Sequence, residues 1–229
     1  MHLGHATPAS SLADRRRLRE PILAHTTLAA ARLCPEIRLR LVTAECPLWK
    51  ASEEEAARSG LVEPYWAFSW AGGQALARHL LDHPELVRNK RVLDFGAGGA
   101  VEGIAAALVG ACVLANDIDP MATEAALVNA ELNGVSLEVT TENLVGVVDP
   151  SWDVVLCGDV FYGTEMAAPA LAWLRALARR GADVLVGDPD RGFLDVTGLD
   201  AVARVEAPAD NDADGSFLRP TTIYRVRPA

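Results

Sequence analysis

The segment from residue 91 to residue 120, RVLDFGAGGAVEGIAAALVGACVLANDIDP, constrains the fold of this 229-residue chain more than any other. Its apolar stretches 91–95 and 111–115 have the length and composition of buried strands. Between them, a glycine turn at 96–99 precedes a run of small and aliphatic residues at 101–109 that predicts a helix. This order and length predict a β–α–β unit with parallel strands.

Two glycines and one acidic residue in this segment indicate a ligand site. Gly96 and Gly98 let backbone amides approach a ligand closely, where a Cβ would collide. Asp117 lies 21 residues after Gly96, the spacing at which an acidic residue holds a ribose diol. A nicotinamide dinucleotide and S-adenosylmethionine (AdoMet) both fit this outline. A buried β–α–β unit with an incidental tight turn is the plainer alternative.

The residues around the turn favour AdoMet over a dinucleotide. The third glycine of the dinucleotide fingerprint would stand at position 101, which is valine. In a dinucleotide site the amides at the helix start face an anionic pyrophosphate. Asp94 ends the first strand at that place, where a carboxylate would repel a pyrophosphate and suit the ammonium group of AdoMet. The sequence therefore predicts an AdoMet site.

Composition limits the classes of partner. The formal net charge is −10 at pH 7, whereas nucleic-acid-binding proteins generally show a basic patch, so no nucleic-acid partner is expected. No apolar run approaches the ~20 residues of a membrane span, so no membrane partner is expected. The four cysteines form no CxxC pair and the five histidines form no metal-ligand pattern. Free thiols in a reducing compartment and no metal site are therefore predicted.

The rest of the chain predicts an α/β fold. Residues 63–229 read as five β–α units followed by two antiparallel strands, 201–205 and 221–226, joined by an acidic loop at 206–216. This order predicts a doubly wound, Rossmann-like, seven-stranded sheet with a C-terminal antiparallel hairpin. Residues 1–62 are expected to form an extension, with helix and strand, packed on this domain.

Within the extension, a helix is predicted from about Ser11, with a break or restart at Pro21. Residues 37–41 alternate between apolar and charged side chains, which predicts a half-buried strand. Farther along, four aromatic residues lie within 65–70 of the segment PYWAFSWAGGQ. Trp66 and Trp70 either fill the core or form a lid over the cofactor.

Five polar residues follow or end the predicted parallel strands. In a doubly wound sheet, ligands bind outside the carboxyl ends of the strands, so these side chains are expected at one edge. The five residues are Asp94, Asp117, Asn143, Asp159 and Asp188.

Several segments carry a resemblance to a known family. The chain resembles the class I (seven-strand) AdoMet-dependent methyltransferases, and among them the family-16 lysine methyltransferases, notably those that act on the electron transfer flavoprotein β subunit. The W-x-G-G-Q-A-L and G-D-x-F-Y stretches are more specific than the glycine turn. The segments are PEIRLRLVT (35–43), PYWAFSWAGGQALARHLLDHPELVRNKRVLDFGAGG (64–99), LANDIDP (114–120), GDVFY (158–162) and VLVGDPDR (184–191).

The resemblance implies an AdoMet-dependent protein-lysine N-methyltransferase with that flavoprotein subunit as its protein substrate. A departure is Ala100, where the superfamily has a third glycine; its methyl group is expected to tighten the turn without excluding the cofactor. Animal members are mitochondrial, but residues 1–33 show no convincing presequence, so a cytoplasmic, bacterial enzyme is expected. The implied cofactor-binding residues are Trp70, Asp94, Gly96, Ala97, Gly98, Asp117, Ile118 and Asn143.

By the same resemblance, Asp159 and Tyr162 occupy the D-x-x-Y motif beside the transferred methyl group and are the candidate catalytic residues. A lysine amine has a pKa of about 10.4 and is mostly charged near neutral pH. An apolar channel lowers that pKa, and Trp66 and Phe161 are expected to help build it. Asp159 would guide and orient the amine without being an obligatory base.

Plainer roles and other functions stay open at this point. Asp159 could cap the following helix, Tyr162 could belong to the core, and Asp188 with Arg191 is expected to form a structural ion pair. A class I methyltransferase of a small molecule or of another protein, including the ribosomal-protein type, is an alternative function. A dinucleotide-binding oxidoreductase or an inactive AdoMet-binding module is another.

Overall fold

A computed structural model describes residues 12–42, 64–208 and 218–228 of the chain. The α-helices in these residues are α1 (Leu12–His25), α2 (Ala71–Asp82), α3 (Val101–Leu108), α4 (Pro120–Leu132) and α5 (Thr164–Arg179), and two short 3-10 helices span Tyr65–Ala67 and Pro84–Leu86. The strands are β1 (Thr27–Ala30), β2 (Arg38–Leu41), β3 (Arg91–Phe95), β4 (Cys112–Asn116), β5 (Glu138–Thr140), β6 (Val154–Gly158), β7 (Asp183–Asp188), β8 (Leu199–Pro208) and β9 (Leu218–Val226).

One seven-stranded sheet organises the domain, in the order β5-β4-β3-β6-β7-β9-β8. The strands β3 to β7 pair in parallel, and β9 lies antiparallel between β7 and β8. The predicted α/β class, the Rossmann-like seven-stranded sheet and the C-terminal antiparallel hairpin are thus confirmed. The strand order reverses at β3, with β4 and β5 on one side and β6 and β7 on the other. Ligand crevices form at such a reversal.

Two predicted details of the sheet are wrong. Instead of five β–α units, the chain leaves β5 and β7 through the helix-free loops 141–153 and 189–198. Both loops contain proline and glycine, which disfavour a helix. The acidic loop predicted at 206–216 starts as strand, because β8 continues to Pro208; residues 209–217 lie outside the described part of the chain.

The helix α1 runs through Pro21 without a break, contrary to the prediction. A proline removes one hydrogen bond, to the carbonyl four residues earlier, and crowds that carbonyl. Here the carbonyl belongs to Arg17, which is exposed, so water can replace the lost donor. The predicted start of this helix at Ser11 lies outside the described residues.

A small hairpin follows α1. The strand predicted at 37–41 is confirmed as β2, and β1 pairs with it antiparallel, with Thr27 opposite Leu41 and Ala30 opposite Arg38. The sequence TLAA of β1 shows no clear alternation, which is why no strand is predicted there.

Both α1 and the hairpin contact α4. Arg15 and Arg19 of α1 bind Glu124 at 3.0 and 2.9 Å, and the Glu124 side chain is only 3% exposed. The backbone amide of Arg40 donates to Asn129 Oδ1 in α4 at 2.8 Å, and that of Arg38 donates to Oδ1 of Asn133, which follows α4, at 2.9 Å. These contacts join the described part of the extension to the domain. The boundary near residue 62 lies outside the described residues and stays a prediction.

The sheet is covered on both faces, as its apolar strands require. One buried cluster joins β2, α2 and α3 to the sheet, and a second joins α5 to the opposite face. Cys157 is buried in β6 and Cys112 is exposed in β4, both as free thiols. No helix among the described residues is long and apolar enough to cross a membrane.

Gln74 links three parts of the chain from a fully buried position in α2. Its Nε2 donates to the carbonyl oxygens of Ser69 at 2.6 Å and Pro208 at 3.0 Å. Its Oε1 accepts the backbone N–H of Leu33 at 3.0 Å. The side chain therefore connects the aromatic segment, the end of β8 and the N-terminal hairpin.

We predict that Gln74→Leu lowers the free energy of unfolding by about 3 kcal/mol, because two carbonyls and one amide lose their buried partner. Chemical denaturation measures the change. Arg78→Gln on the same helix is the matched control; it removes only ion pairs with partly exposed partners, so a change below about 1 kcal/mol is expected. A Gln74→Leu effect no larger than that of the control would contradict this role.

Candidate functional site

A cavity of about 440 Å³ opens at the carboxyl ends of β3, β4 and β6. Its wall includes the glycine turn after β3, the first turns of α2 and α3, the aromatic segment at 65–70 and the loops that follow β4, β6 and β7. Two predicted site residues, Asp94 and Phe161, do not line it. The predicted residues that do are Trp66, Trp70, Gly96, Ala97, Gly98, Asp117, Ile118, Asn143, Asp159 and Tyr162.

The glycine turn has the backbone conformation that its sequence predicts. Gly96 and Gly98 have φ angles of 70° and 51°, in the left-handed region that favours glycine. The carbonyl of Asn116 at the end of β4 accepts the amides of Gly96 and Ala97, both at 2.9 Å. Ala100 also has a positive φ, of 60°, and is fully buried outside the cavity wall. Its methyl group therefore does not narrow the cavity.

Asp117 is positioned by the turn and by its own loop. Its Oδ2 accepts the amide of Gly98 at 2.9 Å and its Oδ1 accepts the amide of Asp119 at 3.0 Å. Burial raises the pKa of this carboxyl group, and the two N–H bonds oppose that rise. A carboxylate has about four acceptor positions, so both oxygens can still accept a hydroxyl. Ile118, 67% exposed, and Asn143 lie at the cavity rim beside it.

Asp94 does not face the cavity, which corrects the predicted contact with an ammonium group. The side chain is fully buried under α3, and its Oδ2 accepts the amide of Gly103 at 3.0 Å. Burial, reinforced by the charge of Glu102, raises the pKa of Asp94 well above its ordinary value. Successive side chains of a strand point to opposite faces, and the face that carries Asp94 is covered by the first turn of α3. Asp94 thus fixes α3 to β3.

Glu102, which no sequence motif singles out, supplies the carboxyl group that lines this end of the cavity. It is only 3% exposed and lies against the backbone of Gly73 and Gly158; a Cβ built on Gly73 would lie 2.8 Å from Glu102 Oε2. Burial, with a contribution from the charge of Asp159, raises the pKa of Glu102 to about 7. The signal in the sequence is a lone charge in the otherwise apolar helix VEGIAAAL.

Asp159 follows β6 with a φ of 56°, a conformation that aspartate adopts more readily than most residues. Its Oδ2 accepts the amide of Gly73 at 3.0 Å, at the start of α2, and its Oδ1 accepts Arg191 Nη1 at 2.6 Å. Burial raises the pKa of this carboxyl group, and the charge of Arg191 opposes the rise. The helix-cap alternative is wrong, because α5 starts at Thr164 with no side-chain cap.

Arg191 belongs to the site, whereas the expected ion pair between Arg191 and Asp188 is wrong. The guanidinium pairs with Asp159 and lies 5.5 Å from the ring centroid of Trp70. The indole Nε1 of Trp70 in turn donates to the carbonyl of Tyr65 at 2.8 Å. The loop after β7 and the aromatic segment therefore meet at the cavity mouth.

The aromatic residues divide between core and mouth. Trp66 is buried in a small cluster with α4, as the core alternative predicts, and it also lines the cavity; a role as a lid over the cofactor stays a prediction. Tyr162 is 67% exposed, which excludes the core alternative, and its ring centroid lies 6.4 Å from that of Tyr65. Phe161 is buried in the core beneath α5 and does not line the channel, contrary to prediction. Tyr65 takes that place at the mouth.

The charge of the cavity selects its ligand. Among the described lining residues, four are acidic and one, Arg191, is cationic and already paired. Such a wall suits a ligand with positive charge and repels a pyrophosphate, so the electrostatic argument made for Asp94 now rests on other carboxyl groups. The described residues contain no group of histidine, cysteine or acidic side chains that could hold a metal ion. The acidic lining residues are Glu102, Asp117, Asp119 and Asp159.

We predict that Gly72→Ala disrupts the site and the fold together. A Cβ there would come closer to the carbonyl oxygen of Gly187 than any real Cβ does, and would lie 2.5 Å from Asp159 Oδ2. A loss of more than about 2 kcal/mol in unfolding free energy is expected for such overpacking. Gly163→Ala is the matched control, because nothing lies within 4 Å of its Cβ and its φ of −155° is extended. Equal denaturation midpoints for the two variants would contradict the close packing.

Comparisons with known proteins agree with this geometry. The family model described as ribosomal protein L11 methyltransferase (PrmA) matches residues 75–159. The solved structure of a Thermus thermophilus 16S rRNA methyltransferase (RsmC), in complex with AdoMet and guanosine, aligns with a TM-score of 0.50 at 17% identity. That alignment covers 68% of this chain and 43% of the other, and it shows a shared fold.

Similarity in sequence is higher to a group of vertebrate proteins that share one name. The electron transfer flavoprotein beta subunit lysine methyltransferase of Xenopus laevis is 47% identical over 173 residues, covering 74% of this chain and 69% of that protein. The protein of the same name in Rattus norvegicus is 37% identical over 203 residues, with coverages of 86% and 78%. The Homo sapiens protein is 43% identical over 162 residues, with coverages of 69% and 61%. This chain therefore belongs to the electron transfer flavoprotein β subunit lysine methyltransferase family.

Proposed function

We propose that this protein is an AdoMet-dependent protein-lysine N-methyltransferase and that its substrate is the β subunit of the electron transfer flavoprotein. The observation that carries the proposal is one cavity that joins a glycine-turn cradle to a buried carboxylate at an aromatic mouth. The relatives named for this activity supply the substrate.

The cavity residues fit AdoMet. The amides of the glycine turn leave room for a close ligand, and the half-buried Asp117 carboxylate would hold the ribose hydroxyls. Glu102 would place negative charge near the amino-acid portion, where a cationic ammonium group requires it. Ile118 and Asn143 at the rim would contact the adenine. When bound, AdoMet supplies a methyl group on a positively charged sulfur, open to displacement by a nucleophile.

The residues at the mouth would prepare the lysine. Trp66, Tyr65 and Tyr162 line an aromatic opening, and an amine that leaves water for such a surface has a lowered pKa, because its charged form is disfavoured. Asp159 would attract the incoming ammonium group and then orient the neutral amine. Positioning of this kind can supply much of the rate of a displacement reaction.

Other functions have less support. The ribosomal-protein model matches only residues 75–159, which leaves out the aromatic segment and the loop that carries Arg191. A dinucleotide-dependent oxidoreductase is disfavoured by the acidic lining of the cavity. A cytoplasmic location remains part of the proposal, supported by the free thiols of the described residues. A bacterial source stays a prediction.

We predict that Asp117→Ala weakens AdoMet binding by about 1–3 kcal/mol, the usual effect of losing a buried charged hydrogen bond. Isothermal calorimetry with AdoMet and with NAD measures the affinities, and Asp195→Ala, on a fully exposed carboxylate outside the cavity, is the control. NAD binding more tightly than AdoMet to the unaltered protein would overturn the proposed cofactor.

We predict that Asp159→Asn reduces lysine methylation at least ~100-fold while AdoMet still binds, because the amine loses its orienting charge. The assay combines radiolabelled AdoMet with recombinant flavoprotein β subunit and mass spectrometry of the labelled residue. Glu165→Gln, at an exposed position on α5, is the control. The proposed substrate is wrong if the unaltered enzyme labels other proteins in a lysate of its source but leaves the flavoprotein unlabelled. Turnover near that of the unaltered enzyme in the Asp159 variant would remove Asp159 from the catalytic residues.

A further inference from the structure

Two buried carboxylates stand side by side at the ends of β6 and β7. Gly158 pairs with Gly187 in the sheet, so the residues that follow, Asp159 and Asp188, are neighbours. Their proximity is also evident in the pKa of Asp188, which burial raises and which the charge of Asp159 raises further. Arg191, three residues after Asp188, carries the cation next to both.

The two carboxylates differ in how their oxygens are bound. Asp159 has a partner on each oxygen, the amide of Gly73 on Oδ2 and the guanidinium of Arg191 on Oδ1. Asp188 is 3% exposed and its Oδ1 accepts the amide of Asp190 at 2.8 Å. Its Oδ2 is buried and has no hydrogen-bond partner among the described residues. A buried acceptor without a donor is costly, so Asp188 Oδ2 gains stability from any donor that moves towards it.

The position that Arg191 occupies is the one that a substrate amine needs. It lies at the cavity mouth, on Oδ1 of Asp159 and over the face of Trp70. An ammonium group has the same requirements as a guanidinium there, namely a carboxylate acceptor and an aromatic face. With Arg191 in place, both oxygens of Asp159 already have a partner.

We propose that Arg191 holds the place of the substrate lysine in the free enzyme and moves from Asp159 to Asp188 when the lysine enters. This inference rests on the proposed function. It makes Arg191 a positioning residue that acts through Asp159, and it gives the unpaired Asp188 oxygen a role.

The exchange explains how a buried carboxylate can serve as a docking point. Removing one partner of a buried ion pair leaves an uncompensated charge, which is strongly destabilising. Replacing one cation by another avoids that state, because Asp159 receives the lysine as Arg191 reaches Asp188. A neutral side chain of similar length cannot replace the guanidinium on Asp159, so its entry would leave this carboxylate unpaired. The exchange of one cation for another on Asp159 therefore favours lysine over glutamine or methionine.

The first test needs no substrate. In Asp159→Asn the amide oxygen keeps the bond from Gly73, and the NH2 group then faces Arg191, so the guanidinium loses its acceptor. A crystal structure of this variant is expected to show Arg191 within hydrogen-bond distance of Asp188 Oδ2. Arg191 remaining beside residue 159, or extending into solvent, would overturn the proposal. This result is independent of which protein is methylated.

The second test is a double-mutant cycle on Asp188→Asn and Arg191→Met. The single change at Asp188 is expected to raise KM for the flavoprotein β subunit about tenfold, because the displaced arginine loses a charged acceptor. It should leave kcat and the AdoMet affinity within about twofold. In the Arg191→Met background the same change should have less than a twofold effect, since no arginine has to move.

A purely structural role for Asp188 predicts a different pattern, in which Asp188→Asn has the same effect with and without Arg191. That outcome, or an unchanged KM in the single variant, would overturn the exchange. Asp190→Asn is the control, because it alters the neighbouring exposed carboxylate and tolerates the φ of 55°. If the unaltered enzyme fails to methylate the flavoprotein, the substrate assignment fails, while the crystal structure still decides the exchange.

Discussion

The close contact between the first turn of α2 and the ends of β6 and β7 is the constraint on which the site depends. A Cβ on Gly72 would collide with the carbonyl of Gly187, and a Cβ on Gly158 would meet the backbone of Gly73 at 2.8 Å. Only hydrogen atoms fit between these backbones. The contact brings the unpaired amides at the start of a helix to the sheet edge, where they can bind carboxylates. Asp159 is held there by the amide of Gly73, and the carboxyl group of Glu102 lies against the same turn.

This packing also sets the charge of the site. Three carboxyl groups, Asp94, Glu102 and Asp159, lie buried in succession from the core to the cavity mouth. Burial raises the pKa of each, and the charges of neighbouring carboxyl groups raise those of Asp94 and Glu102 further. Backbone amides and Arg191 oppose these rises at the mouth. The anionic form is therefore favoured most at Asp159, where a cationic lysine would arrive, and least at Asp94, where the carboxyl group only fixes a helix.

The sequence predicts which strand ends and which turn form this site, but it predicts less well which side chains contact one another there. The strand ends and the glycine turn follow from local patterns, which predict Asp117, Asn143 and Asp159 at one edge of the sheet. The direction of a side chain depends on the element that covers it, which is why Asp94 lies under α3 and Glu102 takes its place. For the same reason Phe161 lies in the core, whereas the next residue, Tyr162, is exposed at the cavity mouth. The pairing of Arg191 with Asp159 depends on packing between residues that are far apart in the chain, and no local sequence pattern predicts it.

The geometry of Asp159 bears on how a lysine would lose its proton. A carboxylate with an amide on one oxygen and a cation on the other is bound in its ionised form, and these bonds oppose the rise of its pKa that burial causes. Taking up a proton would weaken both bonds, so a general-base role conflicts with the contacts that hold the residue. The exposed Tyr162 and Tyr65 leave the mouth open to water, which can carry the proton away. Catalysis at this site is then a matter of desolvation and orientation, with Asp159 as a fixed anionic anchor.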